Sequence, residues 1–427
     1  MYVVGIIAEY NPFHQGHLSQ FAWIKEKLGP ETRLVVALAS YFCQRGCPGL
    51  QSPRQRARAA LAAGADLVIL LPQYFSSSAG ESYAQAGVSL LAASDLVKTQ
   101  AASAEFSSKK LLEEAAQLIS PESPELKARI KDLVHEGLPP HQARAQALLQ
   151  QGADPKLVEV FNQPNSRLCV EYLAARSALP PTWHKPGFFL CPRQEGSLGA
   201  SSLRALIEEQ ALKQRQQAVW QAPWLQLTNS EAPAPSPLLQ LPLLESLKNS
   251  MPQASLALLL RDLQQGHFAL QADFLDLARL ALTRISEAKA LTSYRDMGGG
   301  LAERLLSKLD AQNFLEAVSA RNFPPGRIQR ALTSYLLGID QALRDQAGKL
   351  PAFILPLAFN RDGRYILRKM QERAQLPVFS RFSDTGRSTD PAVQSQALIE
   401  RRAAALWAYF TGQSQLEGEL LEPPFQA

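Results

Sequence analysis

An apolar run, Val3-Val4-Gly5-Ile6-Ile7-Ala8, leads into a tight polar turn, Glu9-Tyr10-Asn11-Pro12-Phe13, and then into His14-Gln15-Gly16-His17. A helical pattern follows from Leu18 to Leu28. No other stretch of the chain restricts the fold as much. Strand, proline-containing turn, HxGH and helix, in that order, is how a doubly wound α/β sheet sets a nucleotide at its strand ends. A helix N-terminus offers free N–H groups and partial positive charge to phosphates. Two imidazoles one turn apart at that end can each donate a hydrogen bond to oxygens that gain charge as pyrophosphate leaves. Gly16 would let a nucleotide approach the backbone closely. In this setting, binding of ATP outranks the alternative of a surface histidine pair on an ordinary helix.

The pattern continues as alternating strand and helix through the first hundred residues, the signature of a parallel sheet. Arg33–Ala39 and Asp66–Leu71 read as buried strands, with helices over Arg54–Ala63 and Glu81–Ala93. A weak, polar strand is expected at Val97–Ala101. Helices are expected at Lys109–Leu118, Pro124–Gly137, His141–Gln151 and Leu168–Arg176, a short strand at Gly187–Cys191, and a helix opened by Ala200-Ser201-Ser202 and running to about Arg215. Ala-Pro-Ala-Pro-Ser-Pro at 232–237 marks a stiff linker or surface crossing. Beyond it the pattern is mostly helical to Gly348. Then come a strand at Ala352–Leu357, a turn at Asn360–Gly363 and a helix from Arg364 to Arg373. The expected division is a catalytic α/β domain over 1–220, a linker over 221–242, a helical domain over 243–348 and a small α/β region over 349–427.

Composition narrows the class further. No apolar run reaches membrane-spanning length, and no signal peptide is expected. The four cysteines, Cys43, Cys47, Cys169 and Cys191, form neither a CxxC pair nor part of a zinc pattern, which fits a reducing cytosol. A net charge of +5 permits a polyanionic partner without requiring one.

Three further patches could complete an ATP site. Gln44-Arg45-Gly46 follows the second strand, where an open sheet binds ligand, and Arg45 could hold a carboxylate or phosphate. Asn165, at a helix start, could read the adenine edge or ribose, or act as a plain cap. Ser201, Ser202 and Arg204 could close over the β and γ phosphates, or belong to an ordinary capped helix. Asp66 and Glu105 are weak magnesium candidates, and Asp66 reads as a strand start. No set of metal ligands is expected, and neither a Ser/His/Asp nucleophile nor an acid/base carboxylate pair stands out. Met297-Gly298-Gly299-Gly300 has no preceding strand and is not a phosphate loop. Arg321, Arg327 and Arg330, with Arg361, Arg364, Arg368 and Lys369, form two basic groups that could contact RNA phosphates or simply be solvated faces.

The stretch from Gly5 to Leu18 closely resembles the opening of the bacterial tRNA(Met) cytidine acetate ligase family, relatives in fold of the HIGH-motif enzymes. The chain carries similar segments in the same order: Gln44-Arg45-Gly46-Cys47-Pro48, Gly64 to Pro72, Pro164-Asn165 with Glu171-Tyr172-Leu173, Ala200 to Arg204, Gly300 to Arg304 and Arg327 to Leu332. The resemblance implies a Rossmann-like HxGH nucleotidyltransferase domain with a mostly α-helical C-terminal region. It implies that acetate and ATP, with Mg2+, give acetyl-adenylate, and that the acetyl group passes to N4 of the wobble cytidine of elongator tRNA(Met). His14 and His17 would be catalytic. Ile7, Ala8, Glu9, Tyr10, Asn11, Pro12, Phe13, Gly16, Leu18, Ser103, Asn165, Arg193, Ser201, Ser202 and Arg204 would bind ATP, and Arg327 and Arg330 would bind tRNA. A cytoplasmic enzyme follows.

Four departures from the family pattern cluster around that site. Ser103 stands where the family has glycine, and Cys47 where it has an acid. A lysine is missing at Ser52-Pro53. A Tyr-His-Asp stretch is missing between Arg193 and the Ser-Ser-Leu-Arg segment. Two other readings of the same residues are an enzyme adenylylating a small metabolite and a non-catalytic RNA-binding homologue.

Overall fold

Among the described residues, seven strands form one sheet in the order β5-β4-β1-β2-β3-β6-β7. The computed structural model describes residues 1–193, 198–221 and 241–427. In chain order, β1 (Val3–Ala8), α1 (Gln15–Leu28), β2 (Arg33–Ala39), α2 (Pro53–Ala62), β3 (Leu67–Leu71), α3 (Gln73–Ser76), α4 (Gly80–Ala93) and β4 (Thr99–Ala104) open the fold. Then follow α5 (Lys109–Gln117), α6 (Pro124–His135), α7 (Pro140–Gln150), α8 (Pro155–Glu159), α9 (Pro164–Ser177), β5 (Gly187–Pro192) and α10 (Ala200–Gln221). The β-branched and leucine-rich cores of β1, β2 and β3 are buried nearly throughout, as strands covered on both faces must be. They pair in parallel, Val3 with Arg33 and Val35 with Leu67. On the other side of β1, β4 pairs in parallel and carries β5. The chain thus reverses its direction of travel across the sheet between β1 and β4. The crevice outside their C-terminal ends is where such sheets bind ligand.

The expected α/β architecture is observed, with several local shifts. The helix after the second histidine begins at Gln15 instead of Leu18, because His14 caps it. The polar strand expected at Val97–Ala101 lies at Thr99–Ala104. It begins where the Tyr2 hydroxyl meets the Thr99 hydroxyl at 2.7 Å. Asp66 does not start a strand. Its carboxylate sits just ahead of β3, accepting from Leu34 N at 2.8 Å and from the Asn360 amide at 3.1 Å.

The second half is helical: α11 (Leu241–Ser250), α12 (Gln253–Gln265), α13 (Gln271–Leu282), α14 (Leu301–Ser307), α15 (Phe314–Val318), α16 (Pro325–Leu336) and α17 (Gln341–Ala347). Leucines of α10, α11 and α12 form a small core of their own with Leu50 and Leu270. The remaining helices share a continuous core with the sheet. The linker expected over 221–242 falls almost wholly on 222–240, outside the described residues. Near the C-terminus the strand is β6 (Pro356–Phe359), four residues later than expected at its start, and it adds antiparallel to β3. The turn expected at Asn360–Gly363 is instead the capped first turn of α18 (Arg361–Arg373), with the Asn360 side chain accepting from Gly363 N. α19 (Pro391–Phe410), α20 (Gly418–Leu421) and β7 (Phe425–Gln426) complete the chain.

Candidate active site

The HxGH segment folds into a reciprocal cap. His14 takes the extended backbone of a cap residue, and its Nδ1 accepts from Gly16 N at 3.0 Å. His14 N in turn donates to His17 Nδ1 at 3.2 Å. The two rings stack with centroids 3.8 Å apart. Since each Nδ1 accepts from a backbone amide, each neutral ring carries its proton on Nε2 and keeps one N–H to donate. Burial, aided by the Arg193 charge, pushes His14 down to about 4. Burial and the neighbouring His14 push His17 well below the ordinary histidine value. Both rings are therefore neutral donors at physiological pH. The space over Gly16 is taken by the His14 ring: a Cβ there would lie 2.9 Å from His14 Cε1.

The turn before the cap is built as a rigid floor. Tyr10 adopts φ +48° and packs edge-on against His17 at 4.7 Å and Phe13 at 4.7 Å. Asn11 and Phe13 are buried, and Pro12 follows a cis bond. Asn11 Oδ1 accepts from Leu50 N at 2.8 Å and its amide donates to Cys43 Sγ at 3.3 Å, so its side chain braces two loops. The Glu9 carboxylate accepts from Gln44 N at 2.6 Å. Ile7 and Ala8 end β1, and Leu18 lies in the first turn of α1.

Across the crevice, β4, α9 and β5 meet at Glu105. Its Oε1 accepts from the Asn165 side-chain amide at 2.7 Å and from Arg193 Nη1 at 2.8 Å. Its Oε2 accepts from Ser166 N at 2.7 Å and Ser166 Oγ at 2.8 Å. Partial burial disfavours the charged form, but the bonds from Ser166 and Asn165 outweigh it and hold Glu105 at about 2. Asn165 is thus not a plain cap, because its side chain turns to a carboxylate from another element. The Ser103 hydroxyl accepts from the Gln20 amide of α1 at 3.2 Å.

The third patch lies by the loop after β2. Ser201 and Ser202 are exposed at the start of α10. Arg204, one turn on, donates to Cys47 Sγ at 3.0 Å, and burial pushes that thiol up against the pull of the Arg204 charge. Gln44, Arg45 and Gly46 form the tip of the same loop. Gly46 has φ +81°, and a Cβ on it would sit 2.3 Å from Arg330 N, so this tip closes directly on the backbone of α16. Arg45 is exposed beside Gly326 at the start of that helix. The structure thereby brings the Arg45 loop together with the helix that carries Arg327 and Arg330. Both arginines are engaged within the protein. Arg327 donates to Gly298 O at 2.6 Å and lies over Phe323, and Arg330 pairs with Asp296 at 3.0 Å. The group at Arg361, Arg364, Arg368 and Lys369 is on α18, which starts beside Asp66 at the N-terminal ends of the strands, the opposite end from the histidines.

Sequence reasoning missed the Glu105 hub and Arg56. Arg56 is fully buried and donates to the carbonyls of Gln51, Glu9 and Ser40, tying the loops after β1 and β2 to α2. Arg56 lies two residues from both Arg54 and Arg58 in α2, and its partners are backbone carbonyls, so nothing in the side-chain pattern marks it. A cavity of about 560 Å³ in the helical half is lined by residues including Leu275, Arg279, Phe314 and Pro325, and shares none with the histidine site. Among the described residues no group of three His, Cys, Asp or Glu could hold a metal ion, and no helix is long and apolar enough to cross a membrane.

The chain is similar to known proteins along most of its length. The family described as HIGH Nucleotidyl Transferase matches residues 1–419. A tRNA(Met) cytidine acetate ligase of Syntrophomonas wolfei is 29% identical over 404 residues, covering 91% of this chain and 89% of the relative. One from Clostridium perfringens is 25% identical over 435 residues, 99% of each chain. The crystal structure of Thermotoga maritima TmcAL bound with alpha-thio ATP superimposes with a TM-score of 0.82 at 21% identity over the full length of both chains.

Proposed function

We infer a reaction from one premise: this chain belongs to the HIGH nucleotidyl transferase family. We propose that it is an ATP-dependent acetate ligase that forms N4-acetylcytidine at the wobble position of elongator tRNA(Met), the activity that its relatives' names describe. The observation that carries this reading is the pair of neutral imidazoles at the N-terminus of α1, opening on the crevice between β1 and β4.

In this mechanism an acetate oxygen attacks the α-phosphorus of ATP and the bond to pyrophosphate breaks. His14 and His17 donate from Nε2 to phosphate oxygens that gain charge in that step. Donors already fixed by the protein need no reorganisation as the charge develops, which is where such hydrogen bonds stabilise most. Neutral rings suit the role, since each keeps its Nε2–H as a fixed donor across physiological pH. Arg193 adds positive charge beside His14. The cytidine amine then attacks the carbonyl carbon of acetyl-adenylate, AMP leaves with the bonding pair, and the amine proton passes to solvent. No protein nucleophile is required. Asn165, Ser201, Ser202 and Arg204 complete the nucleotide site. Residues 1–220 form the catalytic unit, and 243–348, with Arg327 and Arg330, form the platform for tRNA. Glu105 offers no vacancy to magnesium, because its oxygens are taken by five donor contacts. Mg2+ keeps several waters and favours substrate phosphates, so it would enter with the nucleotide.

Exchange of labelled pyrophosphate into ATP tests the reading. Exchange that depends on acetate is expected. Exchange that depends on a phosphorylated metabolite instead would make the chain an enzyme of small-molecule adenylylation, and no exchange with any acid would leave a non-catalytic RNA-binding protein.

A further inference from the structure

We propose that Glu105 is a positioning residue of the adenylation site, orienting the Arg193 guanidinium whose charge acts on His14 and locking the start of α9 to the end of β4. The inference rests on the function proposed above and adds to it a residue that touches no substrate. Glu105 is the first residue after β4, at the point where the sheet reverses direction. From there its one carboxylate reaches two separate segments: the first turn of α9 and the residue that follows β5.

The first connection replaces a missing cap. The residue before α9, Gln163, makes no side-chain bond to the helix, and Pro164 occupies the first position. Glu105 supplies the acceptor from another element, taking Asn165 N at 3.3 Å and Ser166 N at 2.7 Å. A fixed negative charge at that helix end is favoured by the aligned peptide dipoles. Ser166 returns the contact, since its Oγ accepts from Glu105 N at 3.1 Å and from Phe106 N at 3.2 Å. The carboxylate is therefore immobilised from both sides before it meets Arg193.

The second connection is the one that matters for chemistry. The Arg193 side chain is 54% exposed, and among the described residues Glu105 is its ion-pair partner, at 2.8 Å. A long side chain with that exposure loses its orientation when its anchor goes. Its charge is felt by His14, so the anchor sets where positive charge sits relative to the ring that donates to phosphate. Glu105 takes one of Arg193's five N–H donors in this contact, and others remain for the nucleotide. The carboxylate stays ionised through the whole physiological range.

Glu105→Gln tests this. The amide removes the charge and turns an N–H group toward donors. The expected result is a rise of about ten- to a hundredfold in KM for ATP, with kcat changed by no more than about threefold, the range for losing a charge-assisted contact made in both ground and transition states. In an Arg193→Ala background the same substitution should raise KM by threefold or less, because its target is gone. Glu105→Asp keeps the charge one methylene short. It serves the same cycle should the glutamine variant fail to fold, and its expected outcome is the same loss of effect without Arg193. An unchanged KM, or a full effect retained without Arg193, overturns the proposal. ATP affinity measured by calorimetry without acetate separates the two claims. If the unmodified protein binds ATP but exchanges pyrophosphate independently of acetate, the proposed reaction fails while Glu105 is still judged by nucleotide binding. If it does not bind ATP, both fall.

Discussion

His17 is fixed by contacts that have nothing to do with a ligand: the amide of His14 on its Nδ1, the stacked His14 ring and the edge of Tyr10. The remaining N–H is thereby aimed by the fold. His17→Ala is expected to cut acetyl-adenylate formation by about 10²–10³-fold, the usual result of losing one preorganised transition-state donor. The helix also loses a capping contact, which costs about 1 kcal/mol, so the melting temperature should fall by only a few degrees. Wild-type rates of acetyl-adenylate formation in the variant would place the chemistry elsewhere. The histidine pair was legible in the sequence because the hydrogen bonds that shape it all lie within three residues. Glu105 was visible only as a weak metal candidate, because its partners come from sixty to eighty-eight residues away. Ser103 stands where the resemblance implies glycine, and its hydroxyl has a specific partner in Gln20, a contact that no local pattern announces.

Elements were legible where their apolar pattern was strong. β1, β2 and β3 are continuous apolar runs, and their positions were readable to within a residue. β4 is Thr-Gln-Ala-Ala-Ser-Ala, held as a strand by neighbours on both sides rather than by its own side chains, and it starts two residues and ends three residues later than expected. β6 was displaced because the residues before it are equally apolar, and pairing with β3 and β7 selects the four that form the strand. The most consequential element contact was invisible to pattern altogether. Glu400 of α19 is fully buried and accepts from Ser40 Oγ, just past β2, and from Gln73 N at 2.8 Å. Burial raises it to about 7, with the bonds from Ser40 and Gln73 opposing. In the unfolded chain it titrates near the ordinary value of about 4.3. Between these values the folded protein binds more protons, so this group's contribution to stability is full in acid and is lost as pH rises through about 7. The loss approaches about 4 kcal/mol by pH 8. Glu400→Gln should therefore flatten the decline in melting temperature between pH 5.5 and 8. An identical decline in the variant would clear Glu400 of responsibility.

At the scale of the whole molecule, the sheet is not assembled from consecutive chain. β6 closes the outer edge of β3, β7 pairs with β6, and the Trp407 indole donates to Gly49 O at 2.8 Å inside the N-terminal loops. A chain cut after residue 348 should therefore lose more than a tail. It would expose the β3 edge, whose Leu67 to Leu71 are all apolar, and an unpaired apolar edge recruits other chains. Size-exclusion chromatography of that fragment is expected to show aggregate, and a soluble monomer that still binds ATP would contradict this. The same arrangement has a bearing on synthesis. The partner of β3 emerges from the ribosome roughly 290 residues after β3 itself, which at about 5–20 residues per second is on the order of 15–60 s. For that interval the nascent nucleotide fold has an open flank, so this protein is expected to lean on whatever shelters nascent chains in its host far more than its compact final form would imply.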